Sequence, residues 1–136
     1  VPRPSRAPEA LCRLPAGHRL AGRATITPAD LDGEPYVAYV PEDRARQRLD
    51  RVLAEAGSAP RVVVETIYAA TVCALVSEGL GFGFVSSYAV GGMDLSRLVL
   101  RPFAPAVPIR TLLLLPPDRP KSRLVRALID ALMASR

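Results

Sequence analysis

The sequence has no tryptophan, one histidine, two cysteines and, among eighteen basic residues, a single lysine, Lys121. Each shortage removes a class of chemistry. With His18 as the only imidazole, and Cys12 and Cys73 far apart without a CxxC spacing, no Cys and His ligand set for a metal exists. Nucleophilic catalysis also lacks support, because Ser77, Ser86 and Ser87 have no GxSxG context and His18 sits in a polar loop. Neither an enzyme nor a cofactor is expected. No apolar run approaches the roughly 18 residues that span a bilayer, and the opening VPRPSRAPEA lacks the apolar stretch of a signal peptide. A cytoplasmic protein without a membrane partner is the expectation, in a chain that starts at Val1 and not at Met.

Lysine's near absence bears on the net charge of +5. So lopsided an arginine excess fits GC-rich coding better than a selected nucleic-acid patch. The densest cluster, Arg44, Arg46, Arg48 and Arg51, is interleaved with Glu42, Asp43, Asp50 and Glu55 within one predicted helix. It reads as a solvated, salt-bridged helix face.

What is present is apolar patterning. At 136 residues and 49% hydrophobic, the chain can form one domain that buries about 68% of its unfolded surface. LCRL at Leu11 to Leu14 predicts a short strand, and TPADL a short helix with Thr27 as N-cap and Pro28 at its first position. YVAYV at Tyr36 to Val40 is a strand. A helix follows from Pro41, with acids near its positive end, a stripe of Leu49, Val52, Leu53 and Ala56, and Gly57 past its end. LVLRPF at Leu98 to Phe103 predicts a further strand, and IRTLLLL at Ile109 to Leu115 a strand buried on both faces. Leu124, Val125, Leu128, Ile129, Leu132 and Met133 give a final helix from about Lys121 to Ala134. Strands alternating with helices predict an α/β fold with a largely parallel sheet.

The most informative segment is RVVVETIYAATVCALVSEGLGFGFVSS, Arg61 to Ser87. It reads as a β-branched strand, a polar break at Glu65 and Thr66, an apolar helix, a glycine turn and a second strand: one βαβ unit. Cys73 reads as a small buried hydrophobe of that helix. Gly79, Gly81 and Gly83 follow a helix and precede a strand, the reverse of a dinucleotide-binding loop. Gly79 is therefore expected as a left-handed helix end, with Gly81 and Gly83 permitting close packing. Ligands of open α/β sheets sit beyond the carboxyl ends of the strands, near helix N-termini, which points to Glu65 to Tyr68. Thr66 can cap the helix, hold a polar ligand group beside Tyr68, or do both.

Taken in order, LCRLPAGHRLAG, ITPADLDGEPYVAY, RVVVETIYAATVCALVSEGLGFGFV and VPIRTLLLLPPDRPKSRLVRALIDAL resemble the C-terminal part of the effector-binding domain of LysR-type transcriptional regulators. One departure is Arg19, where the family usually has proline. The resemblance implies a periplasmic-binding-protein-like (type 2) fold, with a complete second lobe and a partial first. Residues 1–10 would be a disordered or linker start and 11–35 a crossing strand returning to the second lobe. That lobe would be 36–103, with 104–136 a crossing strand and the helix of the incomplete first lobe. ETIYAATVCALV is similar to the branch containing the lysine-biosynthesis and opine-catabolism regulators, which implies an amino acid or a derivative as effector. By position, Thr66 and Tyr68 would meet it, with Ser86 and Glu42 facing the same cleft; Glu42 and Glu65 would suit a cationic effector. The family further implies a homo-oligomer that reaches DNA only through an N-terminal domain not in this chain. A solute-binding protein of a transporter, with the same two lobes, is the alternative. Loss of the first lobe's strands would expose IRTLLLL and the last helix and favour self-association.

Overall fold

The computed structural model describes residues 8–90, 94–110, 112–118 and 120–134. In chain order its elements are β1 (Ala10–Pro15), a 3-10 turn (Pro28–Leu31), β2 (Pro35–Tyr39), α1 (Arg44–Glu55), β3 (Arg61–Thr66), α2 (Ala69–Ser77), β4 (Phe82–Ser86), a second 3-10 turn (Ser87–Val90), β5 (Leu98–Pro102) and α3 (Arg123–Ala134). Ala7–Ile109 forms one compact unit, and Arg110–Arg136 belongs to another.

The larger unit is a five-stranded sheet in the order β3-β2-β4-β1-β5. β2 is parallel to both β3 and β4, while β1 is antiparallel to β4 and β5. The expected βαβ unit is present, with β2 lodged between its two strands. From β2 the chain steps one way through α1 to β3, then back the other way through α2 to β4. Right-handed crossovers in opposite directions put their helices on opposite faces of a sheet. The two cores follow that division. Leu49 and Leu53 of α1 pack with Cys12, Leu14, Tyr36, Phe82 and Phe84, whereas Val72, Cys73 and Val76 of α2 pack with Val37, Val85 and Leu98.

The α1 side carries the large rings. Tyr36 and Phe82 stack with centroids 4.6 Å apart, Phe84 stands edge-on to both, and Phe103 meets Phe84 at 4.9 Å. Such pairs add about 0.5–1.5 kcal/mol each beyond their buried area. The α2 side is aliphatic and closer. A Cβ on Gly83 would fall 2.5 Å from Val72 Cγ1, so glycine is what lets α2 sit against β4. At the end of α2, Gly79 has φ +85° and its N–H donates to Val76 O at 2.9 Å, the left-handed terminus expected of it.

Several expectations are corrected in detail. α1 begins at Arg44, because the Asp43 carboxylate accepts from the Arg46 N–H at 2.8 Å and caps it; Pro41 and Glu42 lie in the turn before. Its arginines are not all solvated, since Arg46 is buried. β3 runs through Glu65 and Thr66, so the break before α2 falls at Ile67 and Tyr68. β1, the strand read at LCRL, is inserted between β4 and β5. The opening is structured from Glu9, which bridges Pro108; residues 1–7 lie outside the described residues. The described residues of 109–115 form no strand, because none of them finds a ladder partner among the described residues. Thr27 does precede the first 3-10 turn, where its N–H and hydroxyl both donate to the Asp30 carboxylate, at 2.9 and 3.0 Å.

Candidate functional site

Three parallel strands end side by side, β3 at Thr66, β2 at Tyr39 and β4 at Ser86, with the N-termini of α1 and α2 beside them. Tyr39 and Thr66 are register partners, and the Val40 N–H donates to Thr66 O at 3.1 Å. This is the end of an open sheet at which ligands bind.

Thr66 and Tyr68 are brought together, although not as a simple helix cap. The Tyr68 N–H donates to Thr66 Oγ1 at 3.3 Å, which leaves the hydroxyl proton free to point outward. Tyr68 itself holds the N-cap position of α2 and provides no side-chain acceptor. The first N–H groups of α2 therefore have no side-chain cap, and Tyr68 and Ile67 are exposed beside them.

Alternation along β3 separates Glu65 from Thr66. Val64 packs with the α2-side core, so Thr66 shares that face and Glu65 faces α1. There Glu65 accepts from Arg46 Nη1 at 3.1 Å; the same nitrogen donates to Tyr39 O at 2.6 Å, and Arg46 Nε donates to Asp50 at 3.1 Å. Burial works against the Arg46 charge, but Glu65 and Asp50 outweigh it and hold the guanidinium above its ordinary pKa. The Glu65 charge is thus already engaged. Ser86 Oγ accepts from the Tyr88 N–H at 3.2 Å, and Glu42 is exposed in the turn ahead of α1.

Two further residues, Tyr39 at this end and Arg13 level with Val37 two residues below it, were not singled out from the sequence. The Tyr39 phenol, half-buried, is pushed up to about 12, chiefly by burial, with Cys73 and Asp43 adding and Arg13 opposing. Arg13, from β1, is completely buried on the α2 side, and burial pulls its guanidinium below the ordinary value. The signal for Tyr39 lay in YVAYV, whose alternation puts a phenol at the strand's last position. Elsewhere, a groove of about 320 Å³ is lined by Ala70, Cys73, Ala74, Ser77, Asp94 and Arg97, and one of about 250 Å³ includes Tyr36, Arg46, Asp50 and Ser58. Among the described residues no group of three or more His, Cys, Asp or Glu side chains could hold a metal ion, and no helix is long and apolar enough to cross a membrane.

Comparison with known proteins matches residues 6–136 to the LysR substrate binding domain. The chain is 40% identical over 124 residues to the transcriptional activator protein LysR of Escherichia coli K12, covering 91% of this chain and 40% of that protein. It is 36% identical over 129 residues to the regulatory protein NocR of Agrobacterium tumefaciens T37, covering 92% of this chain and 43% of that protein. The chain thus spans less than half the length of these two relatives, a transcriptional activator and a regulatory protein. Among solved structures, the regulatory domain of Synechocystis CcmR in complex with 2-PG superposes with TM-score 0.76 at 16% identity, covering 94% of this chain and 62% of that one. HinK, a LysR-family regulator from Pseudomonas aeruginosa, gives 0.75 at 22%, covering 94% and 45%. The effector-binding domain of QuiR in complex with shikimate gives 0.69 at 14%, covering 95% and 62%. These likenesses establish the periplasmic-binding-protein-like fold of LysR effector domains. Matched to the domain over nearly all its length, and to a curated regulator at 40% identity, the chain belongs to the LysR substrate-binding-domain family.

Proposed function

We propose that this chain is the effector-sensing part of a LysR-type transcriptional regulator and that it binds a small amino-acid-like molecule at the ends of β2, β3 and β4. The observation that carries this reading is the pairing of Thr66 with Tyr68 at a helix N-terminus without a side-chain cap, where a hydroxyl and an exposed tyrosine adjoin the first N–H groups. An α-carboxylate suits the N–H groups and the Thr66 hydroxyl, and the Tyr68 ring covers the ligand. Ser86 and Glu42 are assigned to the rim. Glu65 acts through Arg46, because its carboxylate is engaged there. The similarity to LysR and NocR favours amino-acid-like effectors over other small molecules.

In this reading, residues 36–103 form the second lobe, flanked by 11–35 and 104–136, which lead to and from a first lobe. Ligand held between lobes favours one relative angle and so shifts the population of a homo-oligomer on DNA. DNA itself is contacted by a domain outside these 136 residues. The test is calorimetric titration of the full-length gene product with arginine, lysine, ornithine and opines. One of them is expected to bind, and Thr66→Ala to weaken it about tenfold, the value of one modest hydrogen bond. No heat with any of them rejects the effector class, and unchanged affinity in Thr66→Ala rejects the site.

A further inference from the structure

Arg13 has no exposed surface, and none of its three guanidinium nitrogens has a hydrogen-bond partner among the described residues. A guanidinium stays protonated inside proteins, so a full charge with five N–H donors is held unmet within the fold. That is among the least favourable arrangements a folded chain can contain. It calls for an anion.

The placement of Arg13 says where the anion belongs. Arg13 is in the middle of β1, paired with Gly83 of β4 and Leu100 of β5. Its neighbours Cys12 and Leu14 point into the α1-side core, so Arg13 points to the α2 side. The groups that act on it electrostatically are the Cys73 thiol of α2 and the Tyr39 phenol, and no aspartate or glutamate is among them. Neither neighbour supplies negative charge at neutral pH, because burial raises the Cys73 thiol and pushes Tyr39 up to about 12. Tyr39 is the last residue of β2 and the register partner of Thr66. Across the sheet Arg13 is level with Gly83 and Val37, two residues short of Tyr39 and on the same face, so the unmet cation lies just below the strand ends and within electrostatic reach of Tyr39.

We propose that Arg13 is the anchor for an anionic ligand group, a carboxylate or an equivalent oxyanion, that enters beside Tyr39 at the ends of β2 and β3. The proposal rests on the effector-cleft reading and narrows it: the ligand carries negative charge, and the cation that meets it comes from β1. Because Arg13 has no exposed surface, binding includes a turn of its side chain toward Tyr39.

The test follows thermal unfolding of the full-length gene product at constant ionic strength. Its probes are L-lysine against cadaverine and L-ornithine against putrescine, pairs that differ only in the carboxylate, together with inorganic phosphate. The wild-type midpoint is expected to rise saturably with a carboxylate-bearing probe or with phosphate, and not with the decarboxylated amines. A response to the amino acids assigns the anion to an effector, and a response to phosphate alone assigns a free oxyanion. Arg13→Met is expected to unfold at a higher midpoint than wild type in probe-free buffer and to lose the response, while Arg13→Lys keeps a weaker one. No movement with any probe, or an Arg13→Met variant that responds as wild type does, overturns the proposal. Loss of the response in Arg13→Met but not in Thr66→Ala or Tyr68→Ala keeps the anion site and rejects the cleft reading; the opposite pattern rejects Arg13 alone.

Discussion

Arg13 and Arg46 are both buried in one sheet unit, on opposite faces of it, and their surroundings differ in every respect that matters to a charge. Arg46 projects from α1 toward the edge of the sheet, where two carboxylates and a main-chain carbonyl accept its hydrogen bonds. Arg13 projects from a central strand beneath α2, among neutral groups. The directions of their pKa shifts record the outcome: Arg46 is raised and Arg13 is lowered. The α1 face combines stacked rings with a matched ion network and so holds the fold. The α2 face keeps an unmet charge near the proposed ligand site, and such local inconsistencies concentrate where function overrides stability.

The largest effect is expected from cutting the α1 face at its centre. Phe84 touches Tyr36, Phe82 and Phe103, so Phe84→Ala should lose about 3–5 kcal/mol, measured by urea unfolding. A loss under about 1 kcal/mol would deny that face its structural role. Arg46→Met comes next. It strands Glu65 and Asp50, but at 41% and 46% side-chain exposure both can rehydrate, so the expected loss is about 2 kcal/mol and not the larger value of a fully buried pair.

The smallest effect concerns the phenol beside Arg13. Tyr39 is neutral in the fold up to about pH 12, above its ordinary value of 10, so its contribution to stability is present below pH 10 and is lost as pH rises toward 12. Burial raises the Tyr36 phenol as well, so alkaline absorbance titration should show two phenols lagging the exposed ones, and one of those two should be missing in Tyr39→Phe. Since Arg13 pulls that phenol down, Arg13→Met should delay it further. A Tyr39 that ionises with the exposed phenols would place it outside the buried setting described.

Why neither arginine was read as buried follows from geometry. Positions 46, 49 and 53 lie on one helical stripe, so Arg46 shares the buried side of Leu49 and Leu53. Reading the interleaved charges as solvation hid this, because the acceptors that permit burial come from β2 and β3. Arg13 alternates with Cys12 and Leu14, a pattern that ordinarily sends the odd residue to water. Here α2 covers that face, and no local pattern in LCRL announces it. RVVV, the glycines after α2 and the apolar stripes were readable because each acts within its own segment. The apolar run at 109–115 misled for the opposite reason: a strand is a property of a pair, and a sequence displays one member.

The account turns on whether the two buried charges differ as their surroundings indicate. Urea unfolding of the full-length gene product and of Arg13→Met and Arg46→Met, followed by circular dichroism in anion-poor buffer, measures this directly. The unfolding free energy should rise in Arg13→Met, by about 1–4 kcal/mol, the range seen when apolar side chains replace buried ion pairs, and fall in Arg46→Met. A fall in both would show that Arg13 already has its counter-charge within the protein and would contradict the anion site.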